Sequence, residues 1–440
     1  GVYTDKPSRF FGRRWDYERS PSLCINCSLG CRTVVSCRYR KVARQEARFS
    51  NSVNGHFICD RGRYGHFYAG LEQRPRSAIV DGEAVAVDQA VNALEKRLKT
   101  ITEKTGAKAV ACAGSGRSSL ETLAMLKRVC RGNGWSAPAY FTDTATVRKV
   151  KSAVTRLEPD LMVSLREIES ADFIAVVGSD AVNESPMLAL AIRQARRNNA
   201  TVAVIDPRSV FLPFAFEHFH AKFDELNGYI GALAKAAIDP AVLKKQEDAI
   251  CNFHAALPEI EQVAQFKQDK ISALAAKLRT SRRPIIVCAT ESVRRQTPAL
   301  AADAALLLRA AGKQAGLFYL MPGANAFAAG LLSDETDSIE TLIGGIENDS
   351  IKALILVENN PFWQFPDRQR LEKALARLEL LAVMDYLNSE AAQKAHICLP
   401  TTTLYESGGI YINQEARVQI AQPAYRGGTA ITLTGGGNHP

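Results

Sequence analysis

Short apolar runs alternate with long amphipathic stretches along most of the chain beyond residue 76. The runs are rich in β-branched residues, which is typical of strands that are covered on both faces. We predict strands at Lys108–Ala113, Phe173–Gly178, Thr201–Asp206, Pro284–Ala289, Ala353–Val357, Leu380–Asp385 and His396–Leu399. We predict helices at Val87–Thr102, Ser118–Arg131, Met187–Asn198, Lys270–Arg279, Pro298–Ala311 and Asp367–Leu378.

Strands that alternate with helices predict an α/β fold whose sheets are mostly parallel. We expect a small N-terminal module followed by two doubly wound, mostly parallel α/β domains. The predicted boundaries are residues 1–76 for the module with a basic N-terminal arm, 77–145 plus 282–400 for one α/β domain, 146–281 for an inserted α/β domain, and 401–440 for a return segment toward the module.

Four cysteines in the module have a spacing that predicts a metal centre. Cys24, Cys27 and Cys31 form a Cys-x2-Cys-x3-Cys loop, and Cys59 follows from a distance. Three close thiolates and one remote thiolate are a common ligand set for a tetranuclear iron–sulfur cluster. We therefore predict one 4Fe-4S cluster held by these four residues.

Zinc is the weaker interpretation of the same cysteines, because zinc ribbons usually carry two matched Cys-x2-Cys knuckles. Gly30 and Gly62 favour the cluster, since glycine lets backbone N–H groups approach its sulfurs. Cys37 falls outside the spacing, and we expect it to be a buried thiol. The scattered positions of the remaining cysteines predict no disulfides and a reducing compartment.

Positive charge is concentrated in the module. The whole chain has 55 Lys and Arg against 46 Asp and Glu, and residues 1–76 alone hold 15 against 6. A four-thiolate cluster is anionic, so part of this surplus can offset its charge. The remaining positive charge suits an acidic partner. We expect no nucleic acid, because the arginines are interleaved with the predicted ligands and no nucleic-acid motif is present.

Length and composition set wider limits. A chain of 440 residues that is 46% hydrophobic can form two or three domains with large cores. No apolar run approaches the ~18 residues that a membrane span needs, so we expect no direct membrane insertion. No secretory signal is visible. The start at Gly1 and the loop-like end at Gly435–Pro440 suggest a fragment of a longer protein.

Glycine- and serine-rich turns follow several predicted strands. They lie at Gly114–Ser119, Gly178–Asp180 and Asp206–Arg208. Turns at the carboxyl ends of parallel strands are where phosphates and nucleotides bind. The signal is weak for each turn alone, because ordinary tight turns have the same composition.

At this point the motifs resemble a known family. The cysteine motif followed by α/β domains is similar to the molybdopterin oxidoreductase superfamily, and within it to the large iron–sulfur subunits of bacterial respiratory NADH:quinone oxidoreductase, complex I. The runs that carry the resemblance are Arg19–Cys24, Phe57–Gly65, Arg74–Arg76, Leu165–Ser170, Val357–Asn359, Glu406–Gly409 and Ile412–Arg417.

The resemblance implies an electron-transfer and scaffold subunit of the hydrophilic arm. Its partners would be the other complex I subunits, which bind NADH and quinone, at the cytoplasmic face of the bacterial inner membrane. The family's N-terminal ferredoxin-like region would be absent from this chain. The one 4Fe-4S cluster would lie off the main electron path, and this chain alone would have no catalytic residues.

Catalytic members of the superfamily bind a molybdopterin guanine dinucleotide, and we expect none here. Formate-dehydrogenase-like enzymes place Lys where this chain has Arg61. The region Phe141–Lys151, where a molybdenum ligand is expected, has no Cys. The turn at Phe223–Asn227 departs from the usual Pro-Gly-Thr-Asp.

Two alternatives and one further expectation remain. The chain could be a catalytic molybdopterin oxidoreductase, such as a formate dehydrogenase large subunit, or a zinc-stabilised binding module. We also expect the basic arm to seat this domain against neighbouring subunits. The residues expected to do so are Arg9, Arg13, Arg14 and Arg19, with Phe11 and Trp15 as apolar anchors.

Overall fold

The computed structural model describes residues 8–243, 246–263 and 268–425 of the chain. Its strands are β1 (Glu18–Leu23), β2 (Arg32–Arg38), β3 (Lys41–Ala47), β4 (Ala78–Val80), β5 (Glu83–Val85), β6 (Val110–Ala113), β7 (Phe173–Val177), β8 (Thr201–Asp206), β9 (Glu217–His220), β10 (Pro284–Ala289), β11 (Gly316–Leu320), β12 (Ala353–Val357), β13 (Leu380–Asp385), β14 (Ile397–Pro400), β15 (Gly409–Ile412) and β16 (Val418–Ala421).

The α-helices are α1 (Ser8–Phe11), α2 (Asp60–Tyr64), α3 (Val87–Thr105), α4 (Leu120–Gly132), α5 (Thr144–Arg156), α6 (Leu165–Glu169), α7 (Ala181–Glu184), α8 (Pro186–Arg197), α9 (Leu226–Ala236), α10 (Pro240–Leu243), α11 (Asp248–Ala256), α12 (Ile260–Val263), α13 (Gln268–Thr280), α14 (Thr297–Ala310), α15 (Ala326–Leu332), α16 (Ile339–Glu347), α17 (Arg368–Leu375), α18 (Glu390–Gln393) and α19 (Leu404–Ser407). Short 3₁₀ helices occupy Arg14–Asp16, Phe67–Gly70, Ala107–Ala109 and Pro361–Trp363.

Two sheets form the α/β body. The first has the order β5-β4-β14-β13-β12-β6, with parallel pairing from β14 to β6 and antiparallel pairing at the β4–β5 edge. The second has the order β11-β10-β7-β8-β9 and is parallel throughout. The predicted fold class, a small module followed by two mostly parallel α/β sheets, is confirmed.

Alternate residues of the central strands face different cores, as the pleat of a strand requires. Along β7, Phe173, Ala175 and Val177 pack into one apolar core, whereas Ile174 and Val176 pack into another. Both faces of the strand are therefore covered, and its sequence is an unbroken apolar run rather than an alternating one.

The sheet pairings correct one predicted boundary. Residues 282–400 were assigned to the first α/β domain, but β10 pairs with β7, and β11 pairs with β10, in the second sheet. The prediction is wrong for residues 284–320, because an apolar run does not specify which sheet it joins. The mostly helical stretch 226–280 is thus a long crossover from β9 to β10 within one parallel sheet.

The module is a three-stranded antiparallel sheet, β1-β2-β3, followed by α2. Its own apolar core is small. Val35 and Cys37 pack against Ala69 and against Tyr405 and Ala424 from the far end of the chain. Residues 401–425 return to the module, where the backbone N–H of Gln422 donates to the carbonyl of Pro21 at 3.0 Å. Residues 426–440 of the predicted return segment lie outside the described part.

A buried ion pair joins the module to the α/β body. Arg74 donates to Glu406 at 2.7 Å, and their side chains are 3% and 4% exposed. Arg74 also donates to the carbonyl of Ala69, while the Glu406 carboxylate accepts from the backbone N–H and the hydroxyl of Thr403. The pair is therefore hydrogen-bonded on both sides, the condition under which a buried pair is tolerated.

Within the described ranges, no helix is long and apolar enough to cross a bilayer.

The ion pair generates a stability prediction. Arg74→Met leaves the buried Glu406 carboxylate with only the exposed Arg76 at 3.9 Å, and should lower the free energy of unfolding by about 3–5 kcal/mol. The matched control is Arg97→Met, which breaks the more exposed pair with Asp81 and should cost less than about 1 kcal/mol. Urea denaturation of the three proteins measures both. Equal shifts for the two variants would contradict the assigned role of the buried pair.

Candidate metal centre

The first three predicted ligands lie in the connection between two antiparallel strands. Cys24 follows the last residue of β1, and Cys31 precedes the first residue of β2. The backbone N–H of Cys24 donates to the carbonyl of Cys31 at 2.8 Å, which closes the loop at its base. Cys27 lies within this loop. Cys59 is the residue immediately before α2.

The structure brings all four thiols to one cavity. Cys24, Cys27, Cys31 and Cys59 line it together with Glu184, Pro186 and Met187 from α7 and α8. The cavity therefore lies at the junction of the module and the α/β body. In the described part of the chain, no three His, Cys, Asp or Glu side chains are close enough together to hold a single metal ion.

Burial raises the pKa of three of these thiols. Loss of hydration raises the pKa of Cys24 to about 12 and raises the pKa of Cys31 well above its ordinary value. Burial likewise raises the pKa of Cys27, and the nearby Arg61 guanidinium opposes this by a smaller amount. A bound metal centre reverses such a preference, because metal ligation deprotonates thiols outright.

Polar groups around the thiols hold the loop in place. The side-chain amide of Asn26 donates to Cys24 Sγ at 3.3 Å and to the Arg61 carbonyl at 2.8 Å. The Arg61 guanidinium donates to the carbonyl of Asn183. The cluster loop, α2 and the body are thus connected. Asn26 and the α7–α8 wall were not among the predicted site residues, and no local sequence signal links Asn183 to the cysteines.

Two glycines permit the close packing of the loop. Gly30 has φ +59°, and a Cβ there would lie 2.3 Å from the side-chain oxygen of Gln419. Gln419 in turn donates to the Gly30 carbonyl at 2.9 Å. A Cβ on Gly62 would lie 3.4 Å from Cys24 Sγ. The loop therefore packs directly against α2 and the β15–β16 hairpin.

Cys37 is remote from this cavity. It lies on β2, is 2% exposed, and packs with Val35, Ala69 and Tyr405 in a separate apolar cluster. The expectation that Cys37 is a buried thiol is confirmed.

A cleft of about 780 Å³ opens at the carboxyl ends of strands from both sheets. It contains the turns that follow β6 and β12, with Arg117 and Glu358 on its wall. Its carboxylates outnumber its cations. The acidic residues are Asp143, Glu291, Glu340, Glu358 and Asp367, and the basic residues are Arg117 and Arg370. Burial raises the pKa of Glu358 to about 7.

The cations in and near the cleft already have carboxylate partners. Arg117 pairs with the fully buried Asp385, and Arg370 forms two hydrogen bonds with Glu347 at 2.8 Å. In the turn after β8, Arg208 binds its neighbour Asp206 through two hydrogen bonds of 2.9 Å and also pairs with Glu184. These side chains are held by carboxylates of the protein itself, although Nη1 of Arg117 is buried and has no hydrogen-bond partner among the described residues.

The family follows from comparison with known proteins. The family model described as molybdopterin oxidoreductase matches residues 83–428, and the model described as molybdopterin oxidoreductase Fe4S4 domain matches residues 17–69. The chain therefore belongs to the molybdopterin oxidoreductase family. The predicted resemblance is confirmed.

The curated relatives are subunits of one enzyme. The chain is 29% identical over 439 residues to the G subunit of NADH-quinone oxidoreductase from Pseudomonas putida, an alignment that covers 95% of this chain and 47% of the relative. It is 27% identical to the corresponding G subunit from Salmonella typhimurium, over 98% of this chain and 49% of the relative. The chain thus spans about half the length of these relatives.

Solved structures share the fold. Acetylene hydratase from Pelobacter acetylenicus superposes with a TM-score of 0.70 at 12% identity, over 92% of this chain and 66% of that chain. The formyltransferase/hydrolase complex from Methylorubrum extorquens gives a TM-score of 0.57 at 16% identity, over 81% and 96%. At these identities the likeness concerns the fold alone.

The packing of Gly30 generates a second prediction. Gly30→Ala adds a Cβ at a left-handed position and against Gln419, so it should lower the free energy of unfolding by about 1–3 kcal/mol. It should also reduce the iron retained by anaerobically purified protein, because the altered residue adjoins Cys31. The control is Gly70→Ala, where a Cβ would meet no atom within 4 Å. Identical stability and iron content in both variants would contradict this account of the loop.

Proposed function

We propose that this chain is an electron-transfer and scaffold subunit of the hydrophilic arm of a bacterial NADH:quinone oxidoreductase. It carries one 4Fe-4S cluster, held by Cys24, Cys27, Cys31 and Cys59, on a molybdopterin-enzyme-like body. When bound, the cluster supplies one-electron oxidation and reduction at this site. The protein contributes the four thiols, the dry cavity and the fixed loop geometry.

One observation carries the proposal. Four cysteines from two separate segments line one buried cavity, inside the stretch that matches the Fe4S4 domain model. Burial raises the pKa of Cys24, Cys27 and Cys31, and an iron–sulfur cluster offsets this cost because it binds cysteines as thiolates. The donor set therefore fits the cluster.

The arrangement also supports a cluster over a zinc ion. Structural zinc draws four ligands to about 2.0–2.3 Å from a single point. In a tetranuclear cluster each thiolate binds a different iron at a corner of a cube, so the four sulfurs stand further apart. Here three close cysteines and one remote cysteine line one cavity, which is the common ligand pattern of such a cluster.

The proposed partners are the other subunits of the same enzyme, at the cytoplasmic face of the inner membrane. Supporting this are the relatives, each of which is named as the G subunit of NADH-quinone oxidoreductase. NADH and quinone are bound by other subunits in this proposal, and the chain itself contacts neither nucleic acid nor the bilayer interior.

We further propose that the body carries no molybdopterin guanine dinucleotide. That cofactor bears phosphates, which need unpaired cations or free helix N-termini. The cleft is acidic, and Arg117, Arg208 and Arg370 are held by carboxylates of the chain. The cations of the turns after β6 and β8 are thus engaged in ion pairs within the chain.

The ligand assignment is tested by cysteine replacement. Changing Cys24, Cys27, Cys31 or Cys59 singly to Ser should greatly lower the iron bound per chain, and should destabilise residues 20–76, because metal binding there contributes folding energy. Cys37→Ser is the matched control and should keep its iron. The measurement is iron and acid-labile sulfide after anaerobic purification. Loss of iron in Cys37→Ser with retention in Cys59→Ser would show that the assignment is wrong.

The absence of the pterin is tested by elemental and cofactor analysis. Protein from cells supplied with molybdate and tungstate should contain neither metal in stoichiometric amount, and no formate oxidation should accompany it. A formate dehydrogenase purified from the same cells is the positive control. Recovery of a guanine-containing pterin from the denatured protein, at one or more per chain, would overturn the proposal and favour the catalytic alternative.

A further inference from the structure

The segment before β1 packs against the turn between β2 and β3. Phe11 meets the ring of Tyr39 edge-on, with ring centroids 6.4 Å apart. The guanidinium of Arg38 donates to the Phe11 carbonyl at 2.9 Å and lies 4.7 Å from the centre of the Tyr39 ring. Two stretches that are distant in sequence therefore form one continuous surface at the edge of the module.

This surface is aromatic and basic at once. Its exposed rings are Phe10, Trp15 and Tyr39, which are 89%, 76% and 76% exposed. Arg13, Arg14, Arg40 and Lys41 are exposed beside them. We call these seven residues the arm surface. In the described part of the chain, none of its four cations forms an ion pair with a carboxylate, whereas the nearby Arg38 pairs with Asp16.

The turn that presents Tyr39 and Arg40 is strained. Both residues have positive φ, +51° and +58°, in a two-residue hairpin loop. Such loops favour Asn-Gly, because bulky side chains fit this backbone poorly. Here the sequence places an aromatic ring and a guanidinium instead. Strained positions of this kind cluster at functional sites, where the side chains serve something other than the fold.

We propose that the arm surface docks onto a carboxylate-bearing surface of another polypeptide in the same assembly. This inference rests on the proposed function, since it assigns the contact to a subunit of that enzyme. Exposed Trp, Tyr and Arg are the side chains that contribute most to protein–protein binding. Four cations that pair with no carboxylate of the described residues suit a complementary acidic surface.

The structure modifies the set of docking residues expected from the sequence. Arg19 pairs with Glu46 at 3.4 Å, and Phe11 is partly covered by Tyr39, so neither is fully available to a partner. The side chain of Arg9 lies outside the described part. The hairpin turn supplies Tyr39, Arg40 and Lys41, which the sequence did not bring to this surface.

An anionic membrane could also attract these residues, but the geometry favours a protein. Interfacial membrane anchors are amphipathic helices with a continuous apolar face. The arm surface is built from a hairpin turn, a 3₁₀ helix and the four-residue α1. These irregular elements present separate rings among cations, which suits a shaped protein surface.

The test introduces changes into the gene that encodes this chain and purifies the tagged protein from its host. Tyr39→Asn with Arg40→Gly relieves the strained turn but also removes the ring that packs on Phe11, so the two effects oppose each other and the thermal midpoint should change little. The same double change should reduce co-purification of NADH-quinone oxidoreductase subunits about tenfold. Arg13→Glu with Arg14→Glu should reduce it as well, and more at low salt. Iron content should not change in either variant.

The control is Lys96→Glu with Lys99→Glu, an equal charge reversal on the exposed face of α3, which should leave co-purification intact. Unchanged co-purification in both arm variants would overturn the inference and leave the proposed function standing. If the unmodified chain recovers no such subunits, both fail. Flotation with phosphatidylglycerol–phosphatidylethanolamine vesicles tests for a membrane as the partner. If the unmodified chain and the Lys96/Lys99 control bind the vesicles and the arm variants do not, while co-purification stays intact in all of them, the protein partner is overturned in favour of a membrane.

Discussion

The structure depends on the convergence of four thiols at one dry cavity between a small module and a large α/β body. The module's three-stranded sheet has little apolar core of its own, and its cysteines share a core with Ile174, Val176 and Met187 of the body. A buried thiolate is stable only beside a compensating positive centre. We infer that the metal centre and the module fold together, so that the cluster is a structural element of this part of the chain as well as a redox group.

The return of the chain after residue 400 completes this site. Asn413 and Gln419 donate to the carbonyls of Leu29 and Gly30 in the cluster loop, and Glu406 pairs with Arg74 behind it. The loop is thus fixed from the far end of the sequence. The same principle operates in the cleft, where arginines that could bind an anion are neutralised by carboxylates of the chain.

The parts of this structure that could be predicted from sequence are those encoded locally. Strands such as Thr201–Asp206 and Leu380–Asp385 were predicted at their observed bounds, because a buried parallel strand needs an apolar run of that length. The spacing of the cysteines similarly identified four of the residues that line the cavity. In contrast, β11 was missed and β10 was assigned to the wrong sheet, since pairing partners are chosen by the tertiary structure.

Other features lacked any local signal. The cavity wall from Pro186 and Met187, the Arg61–Asn183 contact and the joining of Phe11 to Tyr39 all link segments far apart in sequence. Their side chains are ordinary for a helix end or a turn, and only the fold gives them a role.

The most direct test of the central claim is Mössbauer spectroscopy of anaerobically purified protein from cells grown on ⁵⁷Fe, with metal content measured on the same sample. We predict about four irons per chain, with the spectrum of a tetranuclear cluster. One zinc per chain and no iron signal would contradict the account.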